Sequence, residues 1–291
     1  MGTDAESLKR GTGLLVIEAV NSNPNGDPDQ DNDPRIGMGG IGQISPVSFK
    51  RKLRDLIEDP IGLVWQDVKR RFRPELDDDK FQIIESRGRD RKALRNMSAD
   101  DFKSKFWDIR VFGSTFLQKE SSNITTGVVQ FGMGVSVAPV EIQRLTLTSK
   151  AGVEEGKERG MAPLGYRVVH HGVYIMPFFI NPALAHKSGC EPRDIDVLLN
   201  LIPYAYSQTA SCMRPDMRIR RAWYIRHKSA LGSCPDYLIL DSLRPVKKDT
   251  ADMPSTCWED YEVPAGLPAG LKTRIECCTD LMQTLTAGAQ L

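Results

Sequence analysis

The chain has 291 residues, enough for one large domain or two small ones, and either can bury a real core. Its formal net charge of +1 excludes a global basic excess of the kind that announces nucleic acid, so any such signal has to lie in local segregation. The N-terminal stretch lacks the apolar region of a secretory signal, no segment is long and apolar enough to span a bilayer, and the Met1-Gly2 start is discounted as an acylation signal.

The first element is "TGLLVIEAV" (12–20), short, apolar and β-branched, which reads as a buried strand. A polar loop follows, "NSNPNGDPDQDNDPRIG" (21–37), and then the glycine stretch "MGGIGQ". In "ISPVSFKRKLRDLIED", Ser45 is placed to cap a helix whose first residue is Pro46. Phe49, Leu53, Leu56 and Ile57 fall on one stripe of that helix, and Lys50, Arg51 and Arg54 project from its flanks and opposite side. From 60 to 105 charge is dense and apolar content low, which reads as a helical insertion laid over a core. "FWDIRVFGSTF" predicts a short amphipathic helix ending near Gly113.

"TTGVVQFGMGVSVAPVEIQRLTLTS" has the alternation of one or two strands. The polar excursion "KAGVEEGKERGMAPLG" separates it from the strand "YRVVHHGVYIMPFFINP". "EPRDIDVLLNLIPYAY" predicts a second amphipathic helix, and "IRRAWYIRHKS" and "DYLILDSLRPV" two further strands joined by the tight "ALGSCP". With the excursions removed, the order is β-α-β-β-α-β in one domain over 1–291. That is an α+β, ferredoxin-like or RRM-like palm with an antiparallel sheet, and such sheets often carry RNA on one face.

Three basic stretches stand out: "SFKRKLR" beside the capping serine, "KRRFR" (69–73), and "MRIRRAWYIRHK" (217–228). A helix N-terminus offers free N–H groups to phosphate, and Lys and Arg add backbone contacts. Arginines alternating with Trp223 and Tyr224 suit stacking on bases. Each stretch also fits an ordinary solvated face.

Asp27, Asp29, Asp31 and Asp33 imitate the spacing of a calcium loop. The glycine required at the sixth position is replaced by Asn32 or Pro34, and the glutamate at the twelfth by Met38 or Gly40, which excludes an EF-hand. A two-metal nuclease needs carboxylates converging from several elements. Asx-turns and proline-fixed turns are the preferred reading, with no metal and no cofactor expected. His170 and His171 lie on a strand and face opposite ways, so one is expected packed and one exposed. The six cysteines, Cys190, Cys212, Cys234, Cys257, Cys277 and Cys278, form no CxxC pair, so free thiols in a reducing cytoplasm are expected, without zinc.

"NPNGDPDQDNDPRIG", the glycine stretch and "SPVSFKRKLR", taken with "FWDIRVFGSTF", "GVVQFGMGVSVAPV", "IQRLTLTS" and "HKSALGSCPDYLILD", resemble in order the RAMP-superfamily backbone subunit of type I CRISPR Cascade, nearest its I-C and I-B branches. The stretch 60–97, the segment "SQTASCMRPDM" and the tail after Val246 depart from that pattern. The resemblance implies a non-catalytic subunit whose partners are CRISPR RNA, the target DNA strand paired to it, further copies of itself stacked head to tail, and other Cascade subunits. It implies helical fingers at 60–105 and a thumb hairpin at 148–166 that displaces a guide base. Carried onto this chain, it makes Ser45, Ser48, Lys50, Arg51 and Arg54 guide-backbone contacts, Met161 the wedge, Arg167 a phosphate partner, and Gly232 a point of close approach. Related type III subunits cut RNA with an aspartate of the loop after the first strand, which leaves Asp27 or a neighbour as an alternative catalytic residue. A general RRM-like RNA-binding protein is the other alternative.

Overall fold

The computed structural model describes residues 8–86, 94, 97–114, 125–150, 161–250 and 252–283; the side chains of 99, 125, 147–150 and 161–164 lie outside that description. Its centre is one antiparallel sheet. Strand β1 (Gly11–Ser22) lies in the middle, and "GTGLLVIEA" is buried throughout. A strand covered on both faces has no need to alternate, which explains the continuous apolar run. Leu15, Ile17 and Ala19 face one cluster of the core, while Leu14 faces another. Gly13 is required by packing, since a Cβ there would lie 2.0 Å from the Phe178 ring.

The edge strand β2 (Ile41–Ile44) precedes helix α1 (Pro46–Glu58), whose stripe Phe49, Leu53, Leu56 and Ile57 is buried as its spacing predicts. Helices α2 (Leu63–Arg71), α3 (Ala99–Lys105) and α4 (Trp107–Phe112) follow. Next come β3 (Val129–Phe131), β4 (Gly134–Pro139), β5 (Ile142–Lys150) and the long β6 (Met161–Ile180). Helix α5 (Pro192–Leu201), strand β7 (Met217–His227), helix α6 (Asp236–Leu243) and strand β8 (Ile275–Asp280) complete the frame.

The sheet runs β8-β7-β1-β6-β4-β2, with β3 and β5 also paired to β6. Within it, β7-β1-β6-β4 is the order a β-α-β-β-α-β unit takes when α1 and α5 cross the same face. Both helices meet the main cluster there: Phe49 and Leu53 from α1, Ile195 and Leu198 from α5. Trp65, Val68, Leu76, Phe81 and Ile83 from the segment after α1 join the same cluster. No helix among the described residues is long and apolar enough to cross a membrane.

Three local expectations change. "DYLILDSL" is a helix: Ile239 and Leu243 are its buried residues, at i and i+4, and they pack on the second face of the sheet. Helix α4 is not amphipathic, because all six of its residues are buried; Asp108 and Arg110 are accommodated there by ion pairs with Arg54 and Asp194. The region after Thr126 supplies three strands to the main sheet where one or two were expected.

That second face has a further consequence. Among the described residues, helix α6, Leu267 and Tyr261 pack on it over Leu14, Trp223, Ile225, Val16 and Val173, so those positions are not open for bases to stack on. Trp223 is buried and Tyr224 packs against the main core, so the alternation of arginine and aromatic in β7 serves the interior.

Candidate functional site

The C-terminal end of β1 opens into the polar loop, and the loop is built by its own side chains. Asn21, Asp31 and Asn32 take left-handed backbone conformations, with φ of 42°, 51° and 61°. Asp27 accepts a hydrogen bond from the Asp29 N–H at 3.2 Å, an Asx-turn that starts a short 3-10 turn with Pro28 at its head. A two-residue ladder pairs Gly26 with Pro34 and Asp27 with Asp33. The loop is thus a folded turn system, and among the described residues no three His, Cys, Asp or Glu side chains are gathered as metal ligands.

The loop is also tied to its surroundings. Asn25 Oδ1 accepts from both the Ser45 N–H, at 2.9 Å, and the Ser45 hydroxyl, at 2.8 Å. The Ser45 oxygen in turn accepts from the Ser48 N–H at 3.2 Å and caps α1. On the other side, the Asn23 N–H donates to Met213 O at 2.8 Å, and Arg214 Nε donates to Asn23 O at 2.8 Å. Strand β6 leaves the sheet at Val169, which still pairs with Ser22 of β1, and on its N-terminal side it forms a two-stranded ribbon with β5. Arg167 sits at the root of that ribbon, 2.8 Å from Asp33 and 3.8 Å from Asp31.

These elements enclose one open cleft of about 880 Å³. Ser45, Ser48 and Arg167 line it, together with Asn23, Arg35 and Arg214. Its arginines are already held by acidic or carbonyl oxygens: Arg35 Nη2 lies 3.1 Å from Asp27, and Arg167 is paired as above. The cleft therefore offers a helix N-terminus with Ser45 and Ser48 hydroxyls on one wall, and guanidinium groups on the others. Such a set suits an extended polyanion better than a small apolar ligand.

A family model described as CRISPR-associated protein Cas7 matches residues 9–266. The chain belongs to the Cas7 family. A CRISPR-associated protein Cas7 from Haloferax volcanii is 28% identical over 213 residues, covering 65% of this chain and 60% of that relative. This chain therefore spans less than two thirds of the length of that curated relative. Among solved structures, a chain of "CRISPR RNA-guided surveillance complex, pre-nicking" is similar with a TM-score of 0.46 and 14% identity, covering 75% of this chain and 78% of that one. A chain of a type III-B Cmr-beta complex bound to cognate target RNA gives a TM-score of 0.41 and 10% identity, covering 75% of this chain and 61% of that one.

In this Cas7-family chain the remaining predicted positions with described side chains lie apart from the cleft lining. Arg54 is buried inside, with Nε 2.9 Å from Asp108 Oδ2 and Nη1 3.1 Å from Glu85. Arg51 pairs with Asp55 at 2.6 Å and with Glu58. Lys50 stands 5.2 Å from the Phe112 ring centroid, and burial pushes its pKa down, with Arg54 adding to the effect. Met161 opens β6 opposite Lys150, and its side chain lies outside the described residues, as does the 151–160 tip of the hairpin. Gly232, with φ of 98°, belongs to the turn at the Gly11 end of β1, where an added Cβ would lie 2.9 Å from Arg10 Cδ. β1 is 12 residues long, so that turn is roughly 35 Å from the cleft.

Two other polar groupings escaped sequence reasoning. His171 is buried, with Nδ1 2.8 Å from Ser255 Oγ and Nε2 3.3 Å from Glu18 Oε1, and Tyr261 donates to the same serine oxygen at 2.8 Å. Burial pushes the imidazole pKa down, with Glu18 opposing. Ser255 and Glu18 are each 2% exposed, so this series holds the C-terminal segment against the sheet and presents no nucleophile to solvent. His170, its neighbour in sequence, is half-buried. At the far end of β1 the buried Thr12 and His227 meet the half-buried Asp236, with Thr12 Oγ1 2.9 Å from His227 Nε2 and donating to Asp236 Oδ1. All six cysteines are unpaired.

Proposed function

We propose that this chain is a non-catalytic backbone subunit of a type I CRISPR effector complex that holds the sugar-phosphate backbone of guide RNA in the cleft. Copies stack head to tail along the RNA and present it to a target DNA strand beside other subunits, in the cytoplasm. Head-to-tail contacts are heterologous, so they propagate without closing. The hairpin at 148–166 acts as a thumb over the strand, and the segment 60–105 as fingers. A subunit that accepts any guide must contact phosphate and sugar and leave base edges to pairing.

The observation that carries this reading is the convergence of Ser45, Ser48 and Arg167 with Arg35 and Arg214 around one cleft. Replacing Arg35 and Arg167 together by Ala tests it. Affinity for single-stranded RNA is expected to fall about tenfold, and its salt dependence to flatten by about 1.4 in log–log slope for two lost phosphate contacts. Unchanged affinity overturns the reading. RNA that copurifies from the host is expected to consist of repeat-flanked spacers; unrelated RNA would point to a general RNA-binding protein. With complementary RNA and Mg²⁺ no cleavage is expected, because Asp27 is turned onto Arg35 and the Asp29 N–H. Regular cleavage that disappears in Asp27→Ala would show a cutting subunit.

A further inference from the structure

We propose that the aspartates of the polar loop stand where phosphates go in the empty cleft, and that Arg144, opposite Arg167 on the hairpin, is a further phosphate contact of the bound strand. The inference rests on the RNA-binding reading above and gives the acidic loop a role in it.

Two like-charged pairs meet where the hairpin leaves the sheet. Arg144 of β5 and Arg167 of β6 are direct cross-strand partners. Asp27 and Asp33 are direct cross-strand partners in the ladder of the loop. Like charges placed in this way repel within each pair. Opposite charges offset the repulsion. Arg167 Nη1 lies 2.8 Å from Asp33 Oδ1 and 3.8 Å from Asp31 Oδ2, and Arg144 Nη2 lies 4.0 Å from Asp33 Oδ2. Arg35 Nη2 lies 3.1 Å from Asp27 Oδ1. The guanidinium groups of Arg35, Arg144 and Arg167 are thus balanced by the carboxylates of a single loop, and Arg35, Arg167 and Asp31 line the cleft itself.

That balance is exchangeable. The side chains of Asp31 and Arg144 are 90% and 75% exposed, and ion pairs so exposed contribute little to stability. A guanidinium donates to a carboxylate and to a phosphate through the same fork. A phosphodiester in the cleft therefore takes the place of Asp31 on Arg167 and of Asp33 on Arg144. A long strand releases counterions at each contact, which a small anion does not, so the strand displaces the carboxylates and stray anions do not.

The test compares the full chain and its variants in binding a long single-stranded RNA. Asp31 has a left-handed backbone, with φ of 51°, which Asn also tolerates, so Asp31→Asn removes the charge and keeps the turn. It is expected to bind about threefold more tightly than the unaltered protein, the effect of one exposed ion pair released. Asp29 is the control: it is exposed in the same loop and has no ion pair among the described residues. Asp29→Asn changes the charge equally and is expected to shift affinity by less than about twofold, since solvent screens an unpaired surface charge. In an Arg167→Ala background the gain from Asp31→Asn is expected to disappear. Arg144→Gln is expected to weaken binding about threefold through one lost phosphate contact. If Asp31→Asn leaves affinity unchanged or lowers it, the aspartates orient the arginines and do not compete for them. If Asp29→Asn raises affinity as much, the effect is one of general charge. Either outcome, or full affinity in Arg144→Gln, overturns this inference and leaves the backbone-binding reading standing. If the unaltered protein binds no RNA, both fall.

Discussion

Asn25 Oδ1 receives two hydrogen bonds from Ser45, one from its N–H at 2.9 Å and one from its hydroxyl at 2.8 Å. One side chain of the polar loop thereby orients the residue that caps α1, since the same hydroxyl oxygen accepts from Ser48 N–H. Asn25 is 7% exposed, although it lines the open cleft.

Asn25→Ala is therefore expected to lower unfolding stability by about 2 kcal/mol, the scale of a buried N–H and O–H left without acceptor. Ser45→Ala is expected to cost about 1 kcal/mol through the lost cap. Urea unfolding monitored by circular dichroism measures both. Because the two side chains share the bond from the Ser45 hydroxyl, the double variant is expected to lose less than the sum. Full additivity would show that the loop and the helix cap are independent.

The basic residues of α1 divide by burial, and substitution separates them. Arg54 and Asp108 are 4% and 0% exposed and bonded at 2.9 Å. Asp108 also accepts from the Ile84 N–H at 2.9 Å, so the pair pins the segment after α2 to α1. Burial raises the Asp108 pKa and Arg54 opposes it. Arg54→Ala would leave that carboxylate unmatched and is expected to cost about 3–5 kcal/mol. Arg51→Ala, at a half-exposed helix pair with Asp55, is expected to cost at most about 0.5 kcal/mol. Denaturation midpoints decide between them. Equal, small losses at both positions would mean that Arg54 is free to leave Asp108.

Much of this frame is legible in the sequence, because it rests on local rules. The apolar run of β1, the Ser45 cap with Pro46, and the stripe from Phe49 to Ile57 all follow from spacing. The cleft is legible only in part. Ser45 and Ser48 follow from capping, but Asn23 and Arg214 meet because β1 and β7 are antiparallel neighbours, which no local pattern displays. Arg54 looks like a surface cation because its partner, Asp108, lies far along the chain. "DYLILDSL" misleads because a helix that buries one side and carries Tyr237 and Leu238 beside it reads like an apolar strand; the spacing of Ile239 and Leu243 was the available signal. Trp223 looks available for stacking because the sequence does not reveal that α6 and Tyr261 cover the second face.

That covered face is held by a hydrogen-bond series that titrates. Tyr261 donates to Ser255, Ser255 to His171 Nδ1, and His171 Nε2–H to Glu18, which requires the neutral imidazole. Glu18 is also faced by Arg218 at 3.4 Å and Arg220 at 3.7 Å, and Asp260 and His170 act on the imidazole in opposite senses, the first raising and the second lowering its pKa. Burial lowers the His171 pKa below its usual value of about 6.5. Above that pH the imidazole is neutral in both folded and unfolded chains, and stability does not depend on it. As pH falls below about 6.5, the unfolded chain takes up a proton that the folded chain refuses, so stability declines until the folded pKa is passed. Urea midpoints measured from pH 8 to pH 5 are expected to fall over the lower part of that range. In His171→Gln the decline is expected to shrink. An undiminished decline in that variant would assign the effect to His227, whose imidazole is also pushed down by burial at the opposite end of β1.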